Sequence, residues 1–169
     1  MNYHDITYPD MNNGSGLRVV LWLSACSHHC YNCQNPQTWD CNSGIPFDQA
    51  ARSELFEQLS KDYISGITLT GGDPLHENNL NDVLDLINEI RLSYPEKNIW
   101  LYSGYTWDEV FNGENEIRKE IIAKCDVMID GRYVDELRDI CLKWKGSTNQ
   151  NVIDVKESIK QEKSILYCN

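Results

Sequence analysis

The sequence lacks the long apolar segments and basic surfaces that mark membrane proteins and nucleic-acid-binding proteins. No run of about 18 apolar residues occurs, so no membrane span is expected. Residues 1–10 have neither a basic region nor an apolar stretch, which argues against a secretory signal and favours a cytoplasmic protein. Lysine and arginine number 15 against 26 aspartates and glutamates. The resulting net charge of −11 argues against a partner that is bound through nucleic-acid phosphates.

Internal repeats, low-complexity tracts and long linkers are also missing. The 169 residues are enough for a substantial core, so we expect a single domain over residues 1–169. The last segment, residues 156–169, begins with a mixture of Lys and Glu. We expect a solvated helix or a loose tail there.

Seven cysteines are present, and three of them crowd together as Cys26, Cys30 and Cys33 in the pattern C-x3-C-x2-C. This spacing is too close for ordinary disulfide pairing among the three. In a reducing compartment it favours metal or redox chemistry. Three other cysteines are expected to be packing or surface thiols: Cys125, Cys141 and Cys168.

Three thiolates within eight residues can bind three irons of a [4Fe–4S] cluster and leave the fourth iron open to a small molecule. Two alternatives remain open on spacing alone. One is a structural zinc site completed by His28, His29 or Cys41, which would make the chain a non-catalytic zinc-binding interaction module. The other is an electron-carrying cluster whose fourth iron binds Cys41. Outside these alternatives, His28 and His29 are expected to be exposed loop residues.

Short apolar segments alternate with helical periodicities along the chain. Strands are predicted at residues 17–23, 67–70, 99–102, 126–130 and 151–155. Helices are predicted from Pro46, over residues 77–93, from the capping-box pair Thr106 and Glu109, and around residues 117–122. This alternation predicts an α/β fold with a parallel sheet. A complete eight-unit barrel needs roughly 200 to 250 residues, so we expect an incomplete, open parallel β/α barrel.

Ligands in parallel α/β proteins bind beyond the carboxyl ends of the strands. The three cysteines follow the first predicted strand. Residues with glycine, hydroxyl or carboxylate groups follow the next three strands: Thr70, Gly71, Gly72 and Asp73, then Ser103 and Gly104, then Asp130. We therefore expect these loops to line one pocket.

These motifs, in this order, resemble the radical S-adenosylmethionine superfamily, whose hallmark is C-x3-C-x2-C followed by a glycine–glycine–acidic loop. More narrowly they resemble the glycyl-radical-enzyme activases that serve anaerobic ribonucleoside-triphosphate reductase. The resemblance runs from residues 13–18 to residues 146–154, with further motifs at residues 33–35, 69–75, 99–105 and 129–131.

The resemblance implies that Cys26, Cys30 and Cys33 bind a [4Fe–4S] cluster whose open iron chelates S-adenosylmethionine. It implies that residues 71–73 hold the methionine amino group. Reductive cleavage would give a 5′-deoxyadenosyl radical, which removes a hydrogen atom from a glycine of the large reductase subunit. A small flavoprotein is the implied electron donor. An activase for another glycyl-radical enzyme is the alternative within this chemistry.

Further cofactor-binding residues follow from the same resemblance. Asn32 stands where the superfamily usually has an aromatic residue before the third cysteine, and Tyr31 is the candidate substitute for packing on the adenine. Asp130 is assigned by analogy with a monovalent-cation site of other activases. The remaining members of the set are Thr70, Ser103 and Gly104.

Replacing two of the cysteines separates the open-iron hypothesis from its alternatives. We predict that Cys30→Ala abolishes S-adenosylmethionine cleavage, because it removes one of the three thiols that hold the cluster. Cys41→Ala should keep that activity, because the open iron needs no fourth thiol. The measurement is 5′-deoxyadenosine formed by the anaerobically reconstituted protein. Loss of activity in both variants would contradict the open-iron hypothesis.

Overall fold

The computed structural model describes residues 1–167, which contain seven strands and five α-helices. Within these residues no helix is both long enough and apolar enough to cross a membrane. Cys168 and the end of the expected tail, residues 168–169, lie outside the described residues. Of the other two cysteines predicted to be packing or surface thiols, Cys125 is buried and Cys141 is exposed.

The five predicted strands are confirmed, each to within one residue at either end. The strands of the structure are β1 (Asn2–Asp10), β2 (Arg18–Leu23), β3 (Ile45–Pro46), β4 (Gly66–Gly71), β5 (Asn98–Tyr102), β6 (Val127–Asp130) and β7 (Asn151–Asp154). Sequence analysis did not predict β1 and β3.

The seven strands form one mixed sheet in the order β3-β1-β2-β4-β5-β6-β7. Neighbours among β2, β4, β5 and β6 are parallel. The pairs β1–β2, β1–β3 and β6–β7 are antiparallel. The predicted incomplete, open parallel β/α barrel is therefore wrong: antiparallel strands flank the parallel centre on both sides.

The connections explain why the outer strands are antiparallel. Parallel neighbours need a crossover of a dozen or more residues, usually a helix. β1 and β2 are joined by residues 11–17, a turn with Gly14 and Gly16 at positive φ, which is too short for a crossover. β6 and β7 are joined by residues 131–150, all of them described, whose helical content is one 3₁₀ turn at Asp135–Leu137. Without an α-helix to carry the chain back along the sheet, β7 returns in the opposite direction.

The helices are α1 (Gln49–Leu59), α2 (Leu80–Ser93), α3 (Trp107–Phe111), α4 (Glu116–Ala123) and α5 (Val155–Gln161). The predicted capping box of Thr106 and Glu109 is confirmed at the start of α3. Of the two alternatives for the segment after residue 155, the structure has the helix, α5.

Two predicted helix starts are too early. Pro46 pairs with Asn2 in the sheet, and α1 begins after Asp48, whose carboxylate accepts the N–H of the third following residue. α2 begins at residue 80 instead of 77, because turns occupy the preceding residues. In these turns Asn79 donates its N–H to the carbonyl of His76 at 2.8 Å.

The sheet separates an apolar face from a polar and aromatic face, because successive side chains of a strand point to opposite sides. The apolar face packs against buried side chains of the helices, and its strand residues include Val19, Leu21, Leu23, Ile67, Leu69, Ile99, Leu101 and Met128. The alternating positions of β2, β4 and β5 supply the other face: Arg18, Trp22, Thr68, Thr70, Trp100 and Tyr102.

Arg18 is completely buried on the polar and aromatic face. Its guanidinium donates to Thr68 Oγ1 at 2.7 Å, to Asn98 Oδ1 at 2.6 Å and to the carbonyl of Ile67 at 2.6 Å. The guanidinium carbon also lies 5.1 Å from the centre of the Trp100 ring. Burial lowers the pKa of Arg18 to about 10. The arginine thus fastens the amino ends of three strands to one another.

We predict that Arg18→Ala lowers the free energy of unfolding by about 3 kcal/mol, because each buried acceptor left without a donor costs about 1–3 kcal/mol. Urea denaturation followed by circular dichroism measures the change. Arg52→Ala is the matched control, since Arg52 is partly exposed and pairs with Glu89 at the surface. That variant should differ from the parent by about 1 kcal/mol or less. Equal losses in the two variants would contradict the anchoring role of Arg18.

Candidate functional site

A pocket of about 130 Å³ lies at the carboxyl ends of the parallel strands β2, β4, β5 and β6. All three cysteines of the triplet line it. So do the six predicted residues at the end of β4 and in the loops after β4 and β5: Thr70, Gly71, Gly72, Asp73, Ser103 and Gly104. The structure therefore brings together the motifs that the sequence places after successive strands.

Three predicted cofactor-binding residues lie outside this pocket. The Tyr31 side chain is 73% exposed. Asn32 is exposed and donates its side-chain amide to the carboxylate of Asp135 at 2.9 Å. Asp130 is buried and accepts the backbone N–H of Trp107 at 2.8 Å, while its other oxygen accepts the first N–H of β7 at 3.0 Å. The carboxylate of Asp130 thus ties β6 to α3 and β7.

The cysteine loop after β2 has an unusual backbone. Ala25, His29 and Asn32 have φ values of 74°, 46° and 53°, in the left-handed region. For residues other than glycine and asparagine this conformation costs roughly 1–2 kcal/mol each. Contacts with the rest of the chain must therefore stabilise the loop. One of them is the hydrogen bond from the Cys26 N–H to the carbonyl of Trp39, at 3.0 Å.

The glycine–glycine–Asp loop makes a second set of contacts with the cysteine loop. Gly72 donates its N–H to the carbonyl of Leu23, and Asp73 donates to the carbonyl of Ala25, both at 2.7 Å. A Cβ atom on Gly72 would lie 2.5 Å from the Ala25 carbonyl oxygen. Gly71 adopts a φ of 96°, which favours glycine. The close approach of the two loops therefore requires both glycines.

The Asp73 carboxylate is 2% exposed and is surrounded by donors. It lies 2.7 Å from His28 Nε2 and 3.0 Å from the Ser103 hydroxyl. It also accepts the backbone N–H of Gly104 at 3.0 Å and that of Leu75 at 2.8 Å. These bonds use both carboxylate oxygens within the protein. Asp73 therefore connects the cysteine loop with the loop after β5.

His28 has a role that was not predicted from the sequence, where its only functional assignment was as a possible ligand of a structural zinc site. The expectation of an exposed side chain is correct for His29, whose ring lies 4.7 Å from that of Trp39, and wrong for His28. The His28 side chain is 4% exposed and packs edge to face on Tyr105, with ring centres 4.7 Å apart. The available signal was positional: His28 follows β2, and the aspartate that it binds follows the adjacent parallel strand β4.

An adjoining cleft of about 200 Å³ extends from the pocket over the polar and aromatic face to Asn13 and Trp22. The two cavities share Cys33, Thr70, Tyr102, Tyr133 and Gln150. Tyr133 and Gln150 come from the connection between β6 and β7. Tyr133 belongs to none of the sequence motifs, so its contribution to the cleft was not predicted.

Backbone amides contribute to the environment of the three sulfurs. Burial raises the pKa of the Cys26 thiol to about 11, and the backbone N–H of His28 opposes this rise by hydrogen bonding to the sulfur. Burial also raises the pKa of the Cys30 thiol, and a hydrogen bond from the backbone N–H of Tyr133 opposes this rise. The N–H of Asn35 lies 3.4 Å from the sulfur of Cys33. These amides stabilise the thiolate forms that bind metals.

The residues present fit an iron–sulfur cluster held by Cys26, Cys30 and Cys33. All three thiols are free of disulfides, and hydrogen bonds to the sulfurs are typical of cluster sites. Among residues 1–167, no three His, Cys, Asp or Glu side chains are arranged to hold a single metal ion. In a [4Fe–4S] cluster each cysteine binds a different iron, so the thiols need not converge on one point.

We predict that Gly72→Ala lowers the free energy of unfolding by about 2–3 kcal/mol, because its Cβ would push the two loops apart. Gly131→Ala is the control in the same pocket. Among the described residues, a Cβ there meets nothing nearer than 4.0 Å, so the cost of about 1 kcal/mol comes from its left-handed backbone, at φ 87°. Denaturation of both apoproteins measures the difference. A Gly72→Ala variant as stable as Gly131→Ala would contradict the close approach.

Comparison with known proteins identifies the family. A family model described as a 4Fe-4S single cluster domain matches residues 12–153. The anaerobic ribonucleoside-triphosphate reductase-activating protein of Escherichia coli K12 is 41% identical over 154 residues, which are 90% of this chain and 97% of that protein. Proteins with the same name from Enterobacteria phage T4 and Vibrio cholerae are 40% and 37% identical, over 90% and 89% of this chain and 93% and 96% of their own lengths. The resemblance inferred from the motifs is confirmed: this chain belongs to the family of anaerobic ribonucleoside-triphosphate reductase-activating proteins.

Proposed function

We propose that this chain activates anaerobic ribonucleoside-triphosphate reductase by generating a glycyl radical on the large reductase subunit. The observation that carries the proposal is the position of three unpaired cysteines in one pocket with residues 71–73, in a chain of this family. When bound, a [4Fe–4S] cluster supplies the electron that cleaves S-adenosylmethionine into methionine and the 5′-deoxyadenosyl radical, which takes a hydrogen atom from a glycine Cα.

The chain's own residues have distinct tasks in this proposal. Cys26, Cys30 and Cys33 would hold the cluster through their thiolates, and the iron without a cysteine would be available to the amino and carboxylate groups of S-adenosylmethionine. Residues 71–72 present backbone without side chains, so the methionine part can come close to the end of β4. Asp73 acts through its neighbours, because its carboxylate is already bound by four groups of the protein.

The nucleoside part of S-adenosylmethionine is proposed to occupy the adjoining cleft. The pocket itself holds about 130 Å³, whereas ligand pockets usually measure about 300–1,000 Å³. The cleft continues from the pocket and offers the aromatic side chains of Trp22 and Tyr102 beside the hydroxyl of Thr70. Aromatic rings of this kind provide apolar surface for a nucleobase.

The proposed partners are those that membership of this family implies. The large subunit of the reductase is the protein substrate, and a small flavoprotein is the proposed electron donor. We place the reaction in the cytoplasm, where thiols remain reduced. Residues 1–169 are taken to act as a single domain.

The decisive experiment mixes the anaerobically reconstituted protein with the large reductase subunit, S-adenosylmethionine and a reductant. We predict a glycyl doublet in the electron paramagnetic resonance spectrum, together with 5′-deoxyadenosine. Cys33→Ser should give neither product, because it removes a cluster ligand. Cys141→Ser, which changes an exposed cysteine distant in sequence from the triplet, should behave like the parent.

Two outcomes would contradict parts of this proposal. A doublet that appears only with a different glycyl-radical enzyme would show that the substrate is wrong. A fully loaded cluster that forms no 5′-deoxyadenosine would show that the chemistry is wrong.

A further inference from the structure

We propose that His28 is a positioning residue for the cluster: by binding Asp73, it fixes residues 26–30 in the geometry that the three thiols need. The inference rests on the cluster of the proposed function. In this role His28 makes no bond to iron. The glycine–glycine–Asp loop supports the cysteine loop through Asp73, in addition to its proposed part in cofactor binding.

His28 lies between the first two cysteines of the triplet. Three residues separate Cys26 from Cys30, and two of them, Ser27 and His29, are exposed. The His28 side chain is 4% exposed, so it is the one that attaches this segment to the interior. Left-handed residues at positions 25 and 29 flank it on both sides. A segment with this backbone needs an external anchor to keep its shape.

The anchor itself is rigid. Asp73 is fixed by the backbone N–H of Gly104 and by other donors, so His28 binds a carboxylate that is already held in place. The absence of a side chain at Gly104 makes room for the imidazole, since a Cβ there would lie 2.3 Å from the ring. On another side the imidazole packs against Tyr105, whose hydroxyl accepts a hydrogen bond from Arg118 at 2.9 Å. Contacts from two loops thus define one position for the ring.

The backbone amide of the same residue acts on a cluster ligand. The N–H of His28 lowers the pKa of the Cys26 thiol, against the larger effect of burial, and the bond of the His28 side chain to Asp73 holds that amide in place. Hydrogen bonds to cysteine sulfurs influence the reduction potential of a cluster, because they stabilise the additional negative charge of the reduced form. Loss of the anchor should therefore make the potential more negative, even where all three thiols still bind iron.

Matched substitutions separate this role from general loop stability. His28→Asn removes the donor at the Nε2 position, because the asparagine amide is too short to replace it. His28→Gln restores a donor close to that position. His29→Asn makes the same chemical change one residue further on, at an exposed side chain, and asparagine tolerates the left-handed backbone there.

The measurements use the reconstituted protein alone, without the reductase. They are iron content, the electron paramagnetic resonance spectrum of the reduced cluster and its midpoint potential. We expect His28→Asn to shift the potential to more negative values, to broaden the spectrum and to lower the iron content. His28→Gln and His29→Asn should remain close to the parent in all three.

Three results would contradict the positioning role of His28, and a fourth would contradict the proposed function. An unshifted potential in His28→Asn would show that the anchor does not act on the cluster. Equal shifts in His28→Asn and His29→Asn would reduce the effect to general loop damage. If circular dichroism shows that His28→Asn is unfolded, the His28→Gln variant provides the test. Parent-like spectra of His28→Gln support the positioning role. A shifted midpoint potential in folded His28→Gln rejects it. A parent protein that binds no [4Fe–4S] cluster would instead refute the proposed function on which the inference rests.

Discussion

Two backbone hydrogen bonds beyond the end of the β2–β4 pair determine the arrangement of the site. They run from the N–H groups of residues 72 and 73 to the carbonyls of Leu23 and Ala25, each at 2.7 Å. They continue the parallel pairing of the strands into the two loops that follow them. Because backbone groups make these bonds, the relative position of the cysteine loop and the glycine–glycine–Asp loop depends on how closely the chains approach. Glycine at position 72 permits that approach.

Asp73 extends this backbone arrangement to side chains. Its carboxylate binds groups from the cysteine loop, from its own loop and from the loop after β5. A buried carboxylate is costly unless it is well hydrogen-bonded, and here two backbone N–H groups, a hydroxyl and an imidazole surround it. A polar network that is satisfied in this way stabilises one arrangement over its alternatives. Contacts among the loops that follow β2, β4 and β5 therefore hold the site together.

The sequence predicts the centre of this fold well and its edges poorly. Short, largely apolar runs locate β2, β4, β5 and β6, because both faces of these strands are mostly buried, although Arg18, Thr68 and Thr70 interrupt the runs. In β1 most residues are polar, and only Tyr3 and Ile6 are buried, so no apolar run marks it. The direction of β7 depends on a connection that has no crossover helix, which the composition of β7 itself does not reveal.

A similar division holds within the site. The glycine and cysteine positions could be predicted, because their spacing is tied to the strands that they follow. His28 could not be predicted from its surroundings in sequence, since polar residues in a loop are usually exposed. Its burial depends on Asp73, which lies 45 residues away. Tyr133 reaches the pocket because the long connection folds over the strand ends, a contact that leaves no local pattern in the sequence.

Arg18 has an electrostatic consequence for the cleft. The chain carries a net charge of −11, yet among residues 1–167 this buried guanidinium donates to uncharged acceptors alone. Burial raises the pKa of Tyr102 on the cleft wall, and the charge of Arg18 opposes that rise, so its field extends to the cleft. Mobile ions screen a buried charge much less than a surface charge. The cleft wall therefore has an internal source of positive potential that depends little on ionic strength.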